Sequence, residues 1–82
     1  MRDPKVVVFG GSGFIGSHLV ALLAQESIPT LVPTRHAARV RHLTTLPGVD
    51  VVEANIHDDA TLRELLEGRT AAINLVGILH SS

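Results

Sequence analysis

The feature that most constrains the fold is a short apolar run that ends in glycines and passes directly into a helical pattern. The run, from Lys5 to Phe9, is rich in β-branched valine, which predicts a strand buried on both faces. Four glycines fall within the next seven residues. From Gly13 to Gln25 the apolar residues recur at helical spacing. A strand must therefore turn sharply into a helix here, and glycine permits the positive φ that such a turn favours.

The rest of the chain continues the alternation of strand and helix patterns. The predicted strands are Thr30–Thr34, Val49–Ala54 and Ala71–Ile78, and the predicted helices are His36–Leu43 and a segment from Asp58 or Asp59 to about Glu67. We expect Pro33 where ladder pairing stops, because proline lacks a donor. The short spacings favour right-handed parallel crossovers. The sequence thus predicts an α/β fold, the N-terminal half of a Rossmann-type parallel sheet with strand order 3-2-1-4 and helices on both faces.

Composition limits the possible partners. The 82 residues are 45% hydrophobic and predict one domain over residues 1–82. A net charge of −1 gives no electrostatic argument for a nucleic-acid partner, and the absence of cysteine excludes disulfides and thiolate metal sites. The five histidines form no recognisable ligand spacing, so we expect no metal site. No apolar stretch approaches the ~18 residues of a membrane span. We expect a cytoplasmic protein, or one held at a membrane surface through a partner.

The glycine cluster also predicts a phosphate-binding loop. Gly11, Gly13 and Gly16 satisfy G-x-G-x-x-G, and replacing the first of them by Gly10 satisfies G-x-x-G-x-x-G. The preceding strand and following helix supply the context in which this motif indicates a dinucleotide. Free N–H groups and the helix dipole would hold the phosphates, and Ser12 could add a hydroxyl donor. An unliganded turn and another phosphate ligand are the alternatives, whereas a Walker-type loop is excluded because no Gly-Lys-Ser/Thr follows.

The end of the second strand favours NADP(H) over NAD(H). An NAD site usually carries an acid about 20 residues past the glycines, to bond the ribose 2′-OH. No acid lies between Glu26 and Asp50, whereas Arg35 follows the strand and Arg39 comes one helical turn later. A guanidinium can pair bidentately with a 2′-phosphate. NAD(H) remains possible if Arg35 is only a solvated surface residue.

Two segments resemble a known group of proteins. Val6–Gly16 resembles the opening of extended and atypical short-chain dehydrogenases/reductases, the NAD-dependent epimerase/dehydratase superfamily. The segment Ala72–Leu79 resembles the atypical branch that contains the nucleotide-binding accessory subunit of respiratory complex I and its bacterial homologues. The resemblance covers nearly the whole chain and implies a Rossmann-type domain that binds a dinucleotide.

The resemblance also implies individual contacts with the cofactor. The backbone at Phe14 and Ile15 would face the pyrophosphate, and Arg35 falls where NADP-binding members place their 2′-phosphate arginine. Val76 and Gly77 fall where the end of the fourth strand passes the adenosine ribose.

Two positions depart from the pattern that the resemblance implies. Asn55 and Ile56 stand where the family usually has Asp-Leu, the aspartate bonding the adenine amino group. The asparagine oxygen could still accept that bond, but without a charge. The catalytic Tyr-x-x-x-Lys cannot be carried over, because the chain has no tyrosine and its only lysine is Lys5. Whether the protein is an enzyme therefore stays open.

Three functions remain open from the sequence. The chain could belong to an NADP-dependent reductase or nucleotide-sugar epimerase/dehydratase whose active site lies downstream. It could instead belong to a non-catalytic subunit that holds NADPH in a respiratory membrane complex, or to a regulator that senses NADPH. We expect a piece of a longer protein, because an apolar fourth strand at the edge of the sheet invites self-association.

Overall fold

The computed structural model describes residues 4–10, 13–35 and 37–75. The strands are β1 (Val6–Phe9), β2 (Thr30–Thr34), β3 (Val49–Glu53) and β4 (Ala71–Asn74), and the helices are α1 (Phe14–Gln25), a 3₁₀ segment (Ala37–Thr45) and α2 (Asp59–Leu66). The strands form one sheet in the order β3-β2-β1-β4, and every neighbouring pair is parallel. The predicted α/β half-Rossmann architecture and its strand order are confirmed.

The helices cover both faces of the sheet, as predicted. Val6 and Val8 of β1 pack in one apolar cluster with α1 and the 3₁₀ segment, whereas Val7 and Phe9 pack in a second cluster with α2. Successive residues of a strand point to opposite faces, which explains this division. The connections on the two sides of β1 therefore lie on opposite faces. The carboxyl ends of β1 and β4 meet at this switch point, where open α/β sheets bind their ligands.

The helix predicted over His36–Leu43 is observed as a 3₁₀ segment rather than an α-helix. The structure has a 3₁₀ segment from Ala37 to Thr45, interrupted by non-helical backbone at Val40 (φ −117°, ψ 22°). Val40 and Leu43 are 1% and 2% exposed and belong to the apolar cluster on this face of the sheet. Because the helical backbone is interrupted at Val40 itself, burial of these side chains outweighs a continuous α-helical pattern.

Pro33 lies inside β2. It has no backbone N–H, and the described pairing of β2 with β1 has already ended before it. β2 pairs with β3 as far as Pro33 and beyond, but its described pairing with β1 covers only Thr30 and Leu31. The Thr30 N–H donates to Gly48 O, on the β3 side. Alternate residues of a strand direct their N–H groups to opposite neighbours. The nitrogen of Pro33 therefore faces β1, and the expectation that pairing stops there is confirmed for that side.

Both ends of α2 lie where the sequence predicts them. The Asp58 carboxylate accepts hydrogen bonds from the Thr61 backbone N–H (3.1 Å) and hydroxyl (2.7 Å), which makes Asp58 the N-cap. These bonds, chiefly that from the hydroxyl, hold the pKa of the Asp58 carboxyl below its usual range. Gly68, with φ +75°, follows the end of the helix, as a C-terminal stop does.

The fourth strand is shorter than predicted among the described residues. It was expected over Ala71–Ile78; the structure has it from Ala71 to Asn74, and Leu75 still donates its N–H to Phe9 O. Residues 76–78 lie outside the described residues. Within the part of the chain that the structure describes, no helix has the length and apolarity needed to cross a bilayer.

Candidate functional site

The turn from β1 to α1 has the geometry that its glycines predict. Gly10 has φ +85°, in the left-handed region that favours glycine. Gly13 is the N-cap of α1, and its N–H donates to Gly10 O at 3.2 Å. Gly16 is buried in the first turn of the helix, which agrees with a helix that packs close to the strand.

The N-terminus of α1 is open to an anion. The first helical hydrogen bond runs from Ser17 N–H to Gly13 O (2.8 Å), so the N–H groups of Phe14, Ile15 and Gly16 precede the intrahelical ladder. Gly13 cannot cap them through a side chain, and the first turn carries no acidic residue. Oriented donors and the positive end of the helix dipole together bind phosphate well.

Space around Gly13 supports a ligand at this turn. Its backbone conformation (φ −79°, ψ 175°) is extended, and residues other than glycine adopt it without strain. Among the described atoms, an added Cβ would have only Gly10 O within 4 Å, at the ordinary contact distance of 3.6 Å. Among the described residues, space does not require glycine at this position, although glycine is a better N-cap than alanine. A pyrophosphate that approaches the backbone closely would require glycine, so the residues present fit a dinucleotide.

Arg35 lies at the same edge of the sheet as this turn. It follows β2 directly and is exposed, and β2 is the neighbour of β1. Because the strands are parallel, their carboxyl ends share an edge. The positively charged Arg35 thus follows the strand that neighbours the one leading into the glycine turn. The sequence contains no acid between Glu26 and Asp50.

The predicted adenine-contact residue Ile56 lies at this edge too. It lines a cavity of about 420 Å³ on the α2 side of the sheet. The other lining residues come from β1, β4, α2 and the loop before α2: Phe9, His57, Leu62, Leu66, Ala72 and Asn74. A mostly apolar cavity with a few polar groups, at the switch point, is suited to a flat heterocycle.

Asn55 is already engaged in a local bond. Its side-chain oxygen accepts the His57 N–H at 3.0 Å and closes an Asx turn. An amide oxygen has two lone pairs, so one remains for the expected bond to an adenine amino group. Asn55 therefore shapes the loop that presents Ile56 as well as offering a polar contact.

A second cavity went unpredicted. It also measures about 420 Å³ and lies on the opposite side of the sheet, lined by Gly13, Phe14, Ser17, His18, Ala21 and His42. From the sequence, the histidines were expected to form no metal site, and no proximity between any two of them was predicted. The structure brings His18 and His42 to one cavity because α1 and the 3₁₀ segment lie on the same face. Their spacing in the sequence carries no signal of this proximity.

The remaining predicted contacts are not placed. Ser12, Val76 and Gly77 lie outside the described residues. The described residues contain no group of three or more His, Cys, Asp or Glu side chains placed to hold a metal ion.

A parallel sheet with a glycine turn after its central first strand, next to the switch point, defines the nucleotide-binding half of a Rossmann-type domain. The model of the NmrA-like family matches residues 2–81, and the chain belongs to this family. The resemblance to the NAD(P)-binding epimerase/dehydratase-like superfamily is thereby confirmed.

The chain is also similar to the isoflavone reductase homolog IRL of Zea mays. The two are 28% identical over 83 residues, covering 93% of this chain and 27% of that protein. The chain therefore spans about a quarter of that relative's length.

Proposed function

We propose that this chain is the NADPH-preferring cofactor-binding part of a reductase-like protein. The family supports binding of a nicotinamide dinucleotide, and the name of the maize relative supports reductase chemistry in the longer protein. The observation that carries the NADPH preference is the exposed Arg35 at the carboxyl end of β2, in a segment without acids.

The proposed binding mode assigns each part of the cofactor to its own group of residues. The N–H groups of Phe14 and Ile15 bind the pyrophosphate, and the Arg35 guanidinium binds the 2′-phosphate. The adenine occupies the cavity beside Ile56, where Asn55 offers its remaining lone pair. Bound NADPH supplies a hydride; the described residues hold and orient it.

The residues that the structure leaves undescribed complete this proposal. Ser12 would donate its hydroxyl to the pyrophosphate, and Val76 and Gly77 would pass the adenosine ribose. We also propose that residues 1–82 form one half-domain of a longer protein, and that β4 then pairs with a further strand. In isolation its outer edge would favour self-association.

Replacing Arg35 tests the preference directly. Arg35→Ala should raise the Kd for NADPH at least about tenfold, because a charge-assisted bidentate pair to the phosphate is lost. The Kd for NADH should change less than about twofold, since NADH has no 2′-phosphate. Titration calorimetry of both cofactors at constant salt measures the difference. Arg63→Ala, an exposed arginine on α2 across the sheet, is the matched control and should leave both affinities unchanged. Equal losses for the two cofactors in Arg35→Ala would contradict the preference.

A non-catalytic role is the second candidate, either as an NADPH-holding subunit of a respiratory complex or as an NADPH sensor. Residues 1–82 contain no tyrosine, so the next stretch of the longer protein separates the two candidates: a Tyr-x-x-x-Lys pair there favours the reductase, and its absence favours the non-catalytic role. Hydride transfer from NADPH to candidate carbonyl substrates separates the candidates: turnover supports the reductase, and tight binding without turnover supports the non-catalytic role.

A further inference from the structure

Asn55 is held by local hydrogen bonds next to the cavity proposed for the adenine. Its side-chain oxygen accepts the His57 backbone N–H at 3.0 Å, and its backbone oxygen accepts the Asp58 N–H at 3.2 Å. Both bonds shape the loop whose residues Ile56 and His57 line the cavity. Asn55 itself is exposed, so a ligand that enters the cavity from solvent can meet its side chain.

The bond to His57 determines which atoms of the Asn55 amide are left for a ligand. The amide oxygen keeps one lone pair, and the amide nitrogen carries two N–H donors. Because the oxygen is directed towards the His57 N–H, the nitrogen on the other branch of the planar group is directed away from it. Asn55 therefore offers an acceptor and a donor side by side. A carboxylate at the same position would offer acceptors alone.

The described lining of the cavity contains no carboxylate. Its polar residues are His57 and Asn74, and both side chains carry N–H donors. Asp58 and Asp59, at the start of α2, are the acids nearest to this loop in the sequence, and neither lines the cavity. The Asp58 carboxylate accepts two bonds from Thr61 instead. The described lining therefore holds no acceptor-only group that would exclude a ligand oxygen.

We propose that this cavity accepts 6-oxopurine dinucleotides as well as adenine dinucleotides, and that Asn55 is the residue that permits both. The inference rests on the proposed function and names a second class of ligand for the same site. Adenine carries an amino group at position 6, a donor, and the Asn55 oxygen accepts from it. Hypoxanthine carries a carbonyl oxygen at position 6, an acceptor, and the Asn55 nitrogen donates to it.

Discrimination between the two bases should be weak for this reason. A polar site rejects an analogue strongly when the exchange leaves one of its own groups without a partner. With asparagine, the exchange of an amino group for a carbonyl at position 6 only changes which amide atom is used. With aspartate, the same exchange would place two acceptors against each other. The remaining lining is apolar and contacts the faces of either purine equally well.

The test compares the Kd of NADPH with that of deamino-NADPH, in which hypoxanthine replaces adenine, by calorimetry on the full chain. For the unaltered protein we expect the two values to agree within about threefold. Asn55→Asp keeps an oxygen for the His57 N–H and so preserves the loop, but it replaces the donor by an acceptor. The ratio of the Kd of deamino-NADPH to that of NADPH should then rise at least about fivefold. The added charge itself leaves this ratio unchanged, because both cofactors carry the same phosphates.

Asp59→Asn is the matched control. It exchanges the same two residue types at an exposed position outside the described lining of the cavity, and it should leave the ratio of the two Kd values unchanged. Circular dichroism checks that each variant is folded.

The outcomes separate this inference from the proposed function. If neither cofactor binds, the proposed function is wrong and the inference falls with it. If NADPH binds but deamino-NADPH binds the unaltered protein more than about threefold more weakly, the site selects adenine; the inference is then wrong and the cofactor proposal stands. An unchanged ratio in Asn55→Asp would also overturn the inference, because Asn55 would then make no contact with position 6.

Discussion

Alanine at two glycines of the same turn should change two different properties: the melting temperature for Gly10→Ala, and the affinity for NADPH for Gly13→Ala. Gly10 has φ +85°, and a residue with a Cβ in the left-handed region costs about 1–2 kcal/mol. In a domain of this size 1 kcal/mol shifts Tm by about 4–8 °C, so Gly10→Ala should lower Tm by about 4–16 °C. Gly13 has an extended backbone, and an added Cβ finds its nearest described atom, Gly10 O, at 3.6 Å.

For Gly13→Ala two opposing contributions to the free energy of unfolding nearly cancel. Alanine restricts the unfolded chain and stabilises by about 0.4–1 kcal/mol, whereas it is a poorer N-cap than glycine by a similar amount. Tm should therefore stay within about 4 °C of the unaltered protein. The new methyl group, however, stands at the turn that the pyrophosphate approaches in the proposed binding mode. Affinity for NADPH should fall at least about tenfold, or 1.4 kcal/mol.

Thermal unfolding by circular dichroism and calorimetric titration with NADPH measure the two effects separately. Gly68→Ala is the matched control: it is strained in the same way as Gly10, with φ +75° and no described atom within 4 Å of an added Cβ, but it follows α2, away from the turn. It should lower Tm without changing affinity. If Gly13→Ala melts as low as Gly10→Ala, the fold itself requires the glycine. If Gly13→Ala binds NADPH normally, the argument from close backbone approach is wrong.

Two further predictions concern stability. The pKa of the Asp58 carboxyl is lowered by its bonds from Thr61, so its stabilisation is present above the pKa of the unfolded chain, about 3.9, and is lost as the pH falls through the lower folded value. Asp58→Asn should keep the cap near pH 7 and flatten the decline of Tm in acid; an unchanged acid profile would contradict the capping account. Arg69 donates to Leu65 O (2.9 Å) and Pro4 O (3.0 Å), so Arg69→Met should lower the free energy of unfolding by about 1–3 kcal/mol. Urea titration measures this loss, and no loss would mean that water replaces both bonds.

The architecture could be predicted because it depends on local patterns. The valine run before the glycines, the turn signal at Pro47 and Gly48 and the aspartate cap of α2 each depend on a few neighbouring residues, and they follow one another in the order that a parallel sheet requires. The same locality explains why the glycine turn was predicted, and why the cap of α2 was narrowed to Asp58 or Asp59, of which Asp58 caps the helix. Physical rules for turns and caps involve nearest neighbours, and the sequence contains all of them.

The unpredicted features all depend on contacts between distant segments. Helical spacing puts Val40 and Leu43 on one face, but it predicts neither the 3₁₀ hydrogen bonding of this segment nor the backbone break at Val40. Arg69 resembles any surface arginine until the fold places its guanidinium beside Pro4 O. The cavity between His18 and His42 likewise requires two elements on one face of the sheet. Sequence patterns specify the elements, but the sheet decides which of their side chains meet.

The position of the site follows from an asymmetry around β1. With β4 the pairing covers every residue of β1, through Phe9, whereas its described pairing with β2 ends at Val7. Pro33 accounts for the difference, because its nitrogen faces β1 and offers no donor to extend that ladder. In the proposed binding mode, a ribose that links a pyrophosphate at Gly13 to a 2′-phosphate at Arg35 would lie at the carboxyl ends of β1 and β2. Pro33 would then contribute to the site, because its nitrogen offers no donor to extend the ladder with β1 into this space.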